Sequence, residues 1–181
     1  TFPRDKVCAG WITPAVVTEL QLDLTDYATS RVLQPITGFR TSILGGREVF
    51  TQYSEPVSYG IRRCEFDHYL LARSGVRQQL GHPFQSIEKQ NGSWLVNHEI
   101  QTPLVIGAGG HFCPVARQMA KSSEPEEPAV VAQENEFEMT DDQAAACTIS
   151  GEVPELFFYP ALRGYAWCFR KGKHLNIGVG R

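Results

Sequence analysis

The chain has 181 residues, 42% hydrophobic, 20% charged and 10% aromatic, a length that suits one domain able to bury about 70% of its unfolded surface. A disordered chain would be poorer in aromatic and β-branched residues, and no run approaches the roughly 18 apolar residues of a membrane-spanning helix. The net charge of −3 argues against nonspecific nucleic-acid binding, which needs a basic face.

In chain order, Thr13-Pro14 ahead of Ala15–Leu20 reads as an N-cap, a proline at the first helical position and a short helix. Residues 31–53, β-branched and aromatic between glycines, predict two or three short strands. Glu65–Ser74 predicts a helix with Phe66, Tyr69, Leu70 and Arg73 on one face and Gly75 as its left-handed stop. Phe84–Gln90 and Ser93–Ile100 flank Asn91-Gly92, a pair suited to a type I′ hairpin turn. Pro103–Gly107 is an apolar run compatible with a strand buried on both faces. Val115–Lys121 reads as helical, and residues 122–128 as a loop. Beyond it Gln133–Met139, Leu156–Tyr159, Tyr165–Phe169 and Leu175–Val179 alternate as strands of an antiparallel sheet, the last two joined across residues 170–173. One face of that sheet carries Tyr165, Trp167 and Phe169. The acids crowded into residues 121–142, eight against one lysine, read as a solvated loop and strand face.

Cysteines at 8, 64, 113, 147 and 168 form no CxxC pair, and the histidines form neither HxxxH nor HExxH. That leaves no metal site of the usual spacing and makes a disulfide framework a poor fit. Five scattered thiols predict a reducing, cytoplasmic compartment and act mainly in packing. Gly107-Ala108-Gly109-Gly110 mimics the opening of a dinucleotide-binding turn, but Phe112 stands at the third glycine place, where close helix–strand packing needs no side chain. A tight turn that brings backbone near a ligand remains.

Four motifs carry more. They are Lys6–Pro14 (KVCAGWITP), Tyr59–Leu71 (YGIRRCEFDHYLL), Leu104–Arg117 (LVIGAGGHFCPVAR) and Gly164–Gly180 (GYAWCFRKGKHLNIGVG). In this order and spacing the chain resembles the FAD-dependent geranylgeranyl reductase-like oxidoreductases, relatives of the p-hydroxybenzoate hydroxylase group. The resemblance implies an α/β (α+β) fold: a partial FAD/NAD(P)-binding-type domain plus an antiparallel substrate-domain sheet. It places the middle of the FAD-binding domain, with a β-rich insertion, at 1–122 and part of the substrate-binding sheet at 123–181. It also implies an internal piece of a longer flavoprotein, since the family's opening GxGxxG unit and later Gly-Asp motif are not in the sequence.

Residue by residue, Cys8 and Gly10 match the family's Cys-Gly-Gly turn near the flavin, although Ala9 and Trp11 depart from its glycines. Arg63 matches the arginine of an Arg-x-x-Phe-Asp pattern near FAD, where a forked guanidinium suits a pyrophosphate; the plainer alternative is an Asp67 or backbone partner. Gly107, Ala108 and Gly109 match a second flavin-contacting turn, without its aspartate. Tyr165 and Trp167 match the strand bordering the substrate cavity, though an aromatic face also suits plain core, and Arg170 stands where many relatives have proline. The implied protein is an FAD-dependent oxidoreductase acting on a largely apolar substrate, with an isoprenoid as a candidate, together with an electron donor. No catalytic acid or base is assigned. The alternatives are an aromatic hydroxylase and a noncatalytic lipid- or partner-binding module. For the chain alone the expectations are weak or absent FAD binding and self-association through an exposed sheet edge.

Overall fold

The computed structural model describes residues 2–119 and 130–181. Trp11–Ile12 forms β1, and Pro14 then opens α1 (Pro14–Glu19) behind an extended Thr13, as the sequence predicts. A second helix, α2 (Leu24–Ala28), was not predicted; the Asp23 side chain accepts from the N–H groups of Thr25 and Asp26 at 2.9 and 3.0 Å. The strands expected in residues 31–53 are β2 (Leu33–Ile36), β3 (Gly38–Ile43) and β4 (Glu48–Gln52), followed by β5 (Ser58–Ile61). Helix α3 (Arg63–Arg73) buries Phe66 and Tyr69, and Gly75 follows at φ +62°. Both rings meet Tyr27 of α2 edge-on, at 5.9 and 5.1 Å. With Ile12, Leu22 and Ile61 they make the core of this region, each large side chain contributing about 1.5–3 kcal/mol by burial.

Next come β6 (Ile87–Gln90), β7 (Ser93–Val96), β8 (Ile100–Thr102), α4 (Pro114–Met119), β9 (Ala132–Glu138), α5 (Asp141–Ala146), β10 (Glu155–Phe158), β11 (Tyr165–Lys171) and β12 (His174–Gly180). The chain divides into two compact units, Thr1–Val76 with Val130–Arg181, and Arg77–Ala129.

The first unit holds a three-stranded sheet, β1-β5-β2, and a six-stranded sheet, β4-β3-β10-β11-β12-β9. The four strands expected beyond residue 132 pair antiparallel, in the order β10-β11-β12-β9. On its other side β10 pairs parallel with β3, so the six-stranded sheet as a whole is mixed. It also draws β3 and β4 from the early part of the chain. The boundary expected at 122/123, and the loop expected at 122–128, lie outside the described residues. The expected connection at 170–173 is shorter: β11 runs to Lys171, and Gly172 at φ +57° opens a two-residue turn. Helix α5 was also unread; Thr140 accepts from Gln143 N–H at 3.2 Å, and Gln143 Oε1 accepts from Thr140 N–H at 2.9 Å, a capping box.

The second unit holds the sheet β6-β7-β8. Asn91 and Gly92 turn at φ +50° and +81°, the expected type I′ geometry. A second such turn, Asn97-His98 at φ +51° and +57°, splits the expected Ser93–Ile100 strand into β7 and β8. Pro103–Gly107 forms no strand; Leu104 and Ile106 are 68% and 77% exposed. Pro103 has no N–H to give a ladder.

Candidate functional site

Alternation along β11 puts Tyr165, Trp167 and Phe169 on one face, as predicted. Their cross-strand partners on β12 are Gly180, Gly178 and Asn176; on β10, Phe158 stands opposite Tyr165 and Leu156 opposite Trp167. Beyond β12, Ala132, Glu134 and Glu136 of β9 pair with Gly180, Gly178 and Asn176. The sheet therefore presents an aromatic wall, a strip without side chains at Gly178 and Gly180, and then a row led by Glu134. Cys8, Ala9, Trp11 and Pro154 close this face into a cavity of about 430 Å³, lined also by Val7, Ala132, Glu134, Leu156, Phe158, Tyr165, Trp167 and Phe169. Tyr165 is 44% exposed and Phe169 only 1%, so the tyrosine is the more open end of the wall and the phenylalanine its buried base.

Trp167 is fixed at both edges. A Cβ on Gly178 would lie 2.2 Å from the indole ring, so the glycine is what lets the ring lie across the strand. The indole N–H donates to Asn176 Oδ1 at 2.7 Å. Asn176 Nδ2 donates in turn to Glu136 Oε2 at 3.3 Å.

The other side of the cavity is a turn held by a buried charge. Lys171, with no exposed side-chain surface, donates to the carbonyls of Ala9 and Ile61, both at 2.9 Å, and to Glu136 Oε2. Three acceptors match the three donors of an ammonium. Glu136 also pairs with Arg62 at 3.3 Å. The Cys8 N–H donates to Glu134 Oε1. Gly10 sits at φ +70°, and a Cβ there would approach Ile61 O to 1.9 Å; the close pass of this turn over β5 therefore requires glycine. Arg63 uses Nε and Nη2 on Asp67 at 2.9 and 3.1 Å, and Nη1 lies 3.3 Å from Cys8 Sγ. Its fork is closed on the carboxylate weighed as the alternative partner.

Thus Cys8, Tyr165 and Trp167 line one cavity, Arg63 touches Cys8, and Gly10 shapes the turn. Gly107, Ala108 and Gly109 are exposed and lie in the Arg77–Ala129 unit. Added Cβ atoms on Gly107 and Gly109 would lie 3.2 and 3.1 Å from Cys113 Sγ, so packing on Cys113 is enough to favour glycine at both. Sequence reasoning passed over Glu134, Glu136, Lys171, Asn176 and Gly178. The usable signal was the glycines of β12, which fall opposite aromatic residues once the hairpin is paired. Among the described residues no cluster of His, Cys, Asp or Glu is arranged to hold a metal ion.

The fold is that of FAD-dependent oxidoreductases. A geranylgeranyl bacteriochlorophyll reductase-like protein from Thermoplasma acidophilum superposes with a TM-score of 0.71 at 20% identity, over 99% of this chain and 48% of that one. The halogenase PltM, in a complex with phloroglucinol and FAD, gives 0.71 at 14% identity, over 99% of this chain and 45% of that one. Among curated proteins the chain is similar to menaquinone reductase of Mycobacterium tuberculosis, 29% identical over 197 aligned residues that cover 99% of this chain and 47% of that protein. It is also similar to digeranylgeranylglycerophospholipid reductase of Methanocaldococcus jannaschii, 26% identical over 147 residues, 75% of this chain and 36% of that protein. These homologues are of the kind that the four motifs point to. The chain spans about half the length of the menaquinone reductase it matches. No protein-family model matches it.

Proposed function

We propose that the chain is part of an FAD-dependent oxidoreductase that acts on a largely apolar substrate bearing an isoprenoid chain. The observation that carries this is the cavity of about 430 Å³, walled by Trp11, Leu156, Phe158, Tyr165 and Trp167 and bordered by the Cys8–Gly10 turn. A concave, mainly aromatic and aliphatic lining with few polar groups suits a hydrophobic ligand. The likeness to two reductases, one named for menaquinone and one for a digeranylgeranyl lipid, supports the same class.

The ring end of FAD would be met by the turn of Cys8 and Ala9, which lines the cavity above the buried Gly10. Cys8 N–H and the Ala9 carbonyl are engaged by Glu134 and Lys171, so the turn would meet the flavin by van der Waals contact. The phosphate end is not met by Arg63, whose fork is spent on Asp67. FAD, when bound, supplies hydride transfer, and the protein supplies orientation and exclusion of water. Here the exclusion falls to the aromatic wall, and the orientation to Trp167, which Asn176 holds at 2.7 Å. The electron donor comes from outside the described residues. A cytoplasmic location is part of the proposal, supported by five dispersed free cysteines.

The test uses the full-length parent protein. Tyr165→Ala and Trp167→Ala are expected to lower kcat/KM for an isoprenoid substrate by roughly tenfold or more, because each removes about 1.5–3 kcal/mol of apolar contact. Bound flavin, read from its absorption band, is expected to stay. Loss of flavin together with the fold would mark both residues as core and sink the assignment.

A further inference from the structure

Within the apolar cavity one group is built as an acceptor. Glu134 lies on β9 two strands from Trp167, opposite Gly178, which is itself opposite Trp167. At ~4.8 Å between neighbouring strands the two backbones are about 10 Å apart, and the Trp167 indole lies over the glycine between them. One carboxylate oxygen, Oε1, accepts the Cys8 N–H. Among the described residues the other, Oε2, accepts no hydrogen bond. The remaining polar groups of the wall are differently engaged. The Trp167 N–H is spent on Asn176, the Cys8 thiol lies against Arg63, and Tyr165 stands at the open end.

We infer that Glu134 is the polar anchor of this cavity, and that the cavity takes an apolar molecule bearing a hydroxyl, an alcohol or a phenol, whose O–H donates to Glu134 Oε2 while its body packs along the Trp167 indole. An ionised carboxylate accepts and cannot donate, so it selects O–H over an ether or a ketone oxygen. A hydroxyl suits the apolar walls better than an ammonium, whose burial costs far more. This rests on the reading of the cavity as the substrate site and adds the ligand's head group to it.

The experiment is calorimetric titration of the full chain with 1-naphthol and with 1-methoxynaphthalene, which differ by the donor hydrogen. The wild type is expected to bind 1-naphthol roughly tenfold or more tightly than the ether, as suits a hydrogen bond to a charged acceptor. In Glu134→Gln the amide oxygen still accepts from Cys8 N–H, so the turn holds, and a donor NH2 stands in place of Oε2. The two probes are then expected to bind within about threefold of each other, through weaker binding of 1-naphthol alone. Glu134→Met, apolar and similar in length, is expected to give the same loss and serves where the glutamine variant does not fold. Equal binding of both probes by the wild type, or a preference that survives in both variants, would overturn the anchor and leave the apolar cavity standing. Binding of neither probe would overturn the cavity reading and the anchor together.

Discussion

Lys171 is an ammonium with no exposed side-chain surface, held by three acceptors from distant segments, Ala9, Ile61 and Glu136. Removing Lys171 takes from Glu136 one of its two cations and leaves the Ala9 and Ile61 carbonyls without their donor, at a cost of about 1–3 kcal/mol for a buried group left unsatisfied. Lys171→Met is therefore expected to lower the urea-unfolding free energy by about that amount. Adding Glu136→Gln, which removes the charge that has lost a cation, should recover part of the loss; no recovery would mean that the carbonyl contacts dominate. His174 gives a second residue-scale expectation. Its Nδ1 is buried without a hydrogen-bond partner among the described residues, and burial, then Arg62, hold its pKa below the usual 6.5. The unfolded chain then binds the proton more readily than the folded one. Stability is accordingly full above about pH 6.5 and falls as pH drops through the unfolded value, levelling once the folded histidine also titrates. Melting temperatures from pH 5 to 8 should show a shallower acid-side fall for His174→Gln than for the wild type, and parallel curves would remove His174 as a cause. Little of this was legible in the sequence. Lys171 read as a turn residue because its neighbours are basic and Gly172 follows, and only the partners brought by β5 and β9 turn it inward.

Among the elements, the β11–β12 hairpin and α3 were readable because their signals are local. Period-2 alternation set the Tyr165–Trp167–Phe169 face, and the spacing of Phe66 and Tyr69 with Gly75 behind them set the helix. The run at Pro103–Gly107 misled for a physical reason: apolar content alone suggests a strand, yet among the described residues no strand pairs with it. Pairing also decides what the glycines of β12 do. Since a Cβ at Gly178 would come within 2.2 Å of the Trp167 ring, Gly178→Ala is expected to cost about 1–3 kcal/mol through overpacking. The same change in a Trp167→Ala background should cost little, because the ring it strikes is gone. A thermal double-mutant cycle measures the difference, and additive effects would show that Gly178 acts elsewhere.

For the whole molecule, the expectation of weak cofactor binding gains a structural basis. The chain contains no GxGxxG run, so the glycine turn at a helix N-terminus that ordinarily takes a pyrophosphate is not in it, and Arg63 has closed its fork on Asp67. A single charge-assisted contact gives about 1.5–3 kcal/mol, against roughly 8 kcal/mol for micromolar affinity. Titration of the 181-residue chain with FAD should show no saturation at micromolar concentration, and stoichiometric binding there would refute the expectation. The parallel partner of β3 was out of reach of sequence reasoning, because alternation identifies a strand and not the distant strand beside it.

That partner has a consequence for how the chain is made. Strand β3 meets β10 across residues 44–154, so the β3–β4 hairpin leaves the ribosome well before the strand that covers its inner edge. At ~5–20 residues per second the wait is on the order of 10 s. Throughout it the hairpin shows an unpaired edge on one side, and Val49 and Phe50, 53% and 55% exposed even in the folded chain, on the other. Nascent chains on one message stand close together in that interval, and the exposed ladder can pair with its neighbour's copy before its own partner has been synthesised.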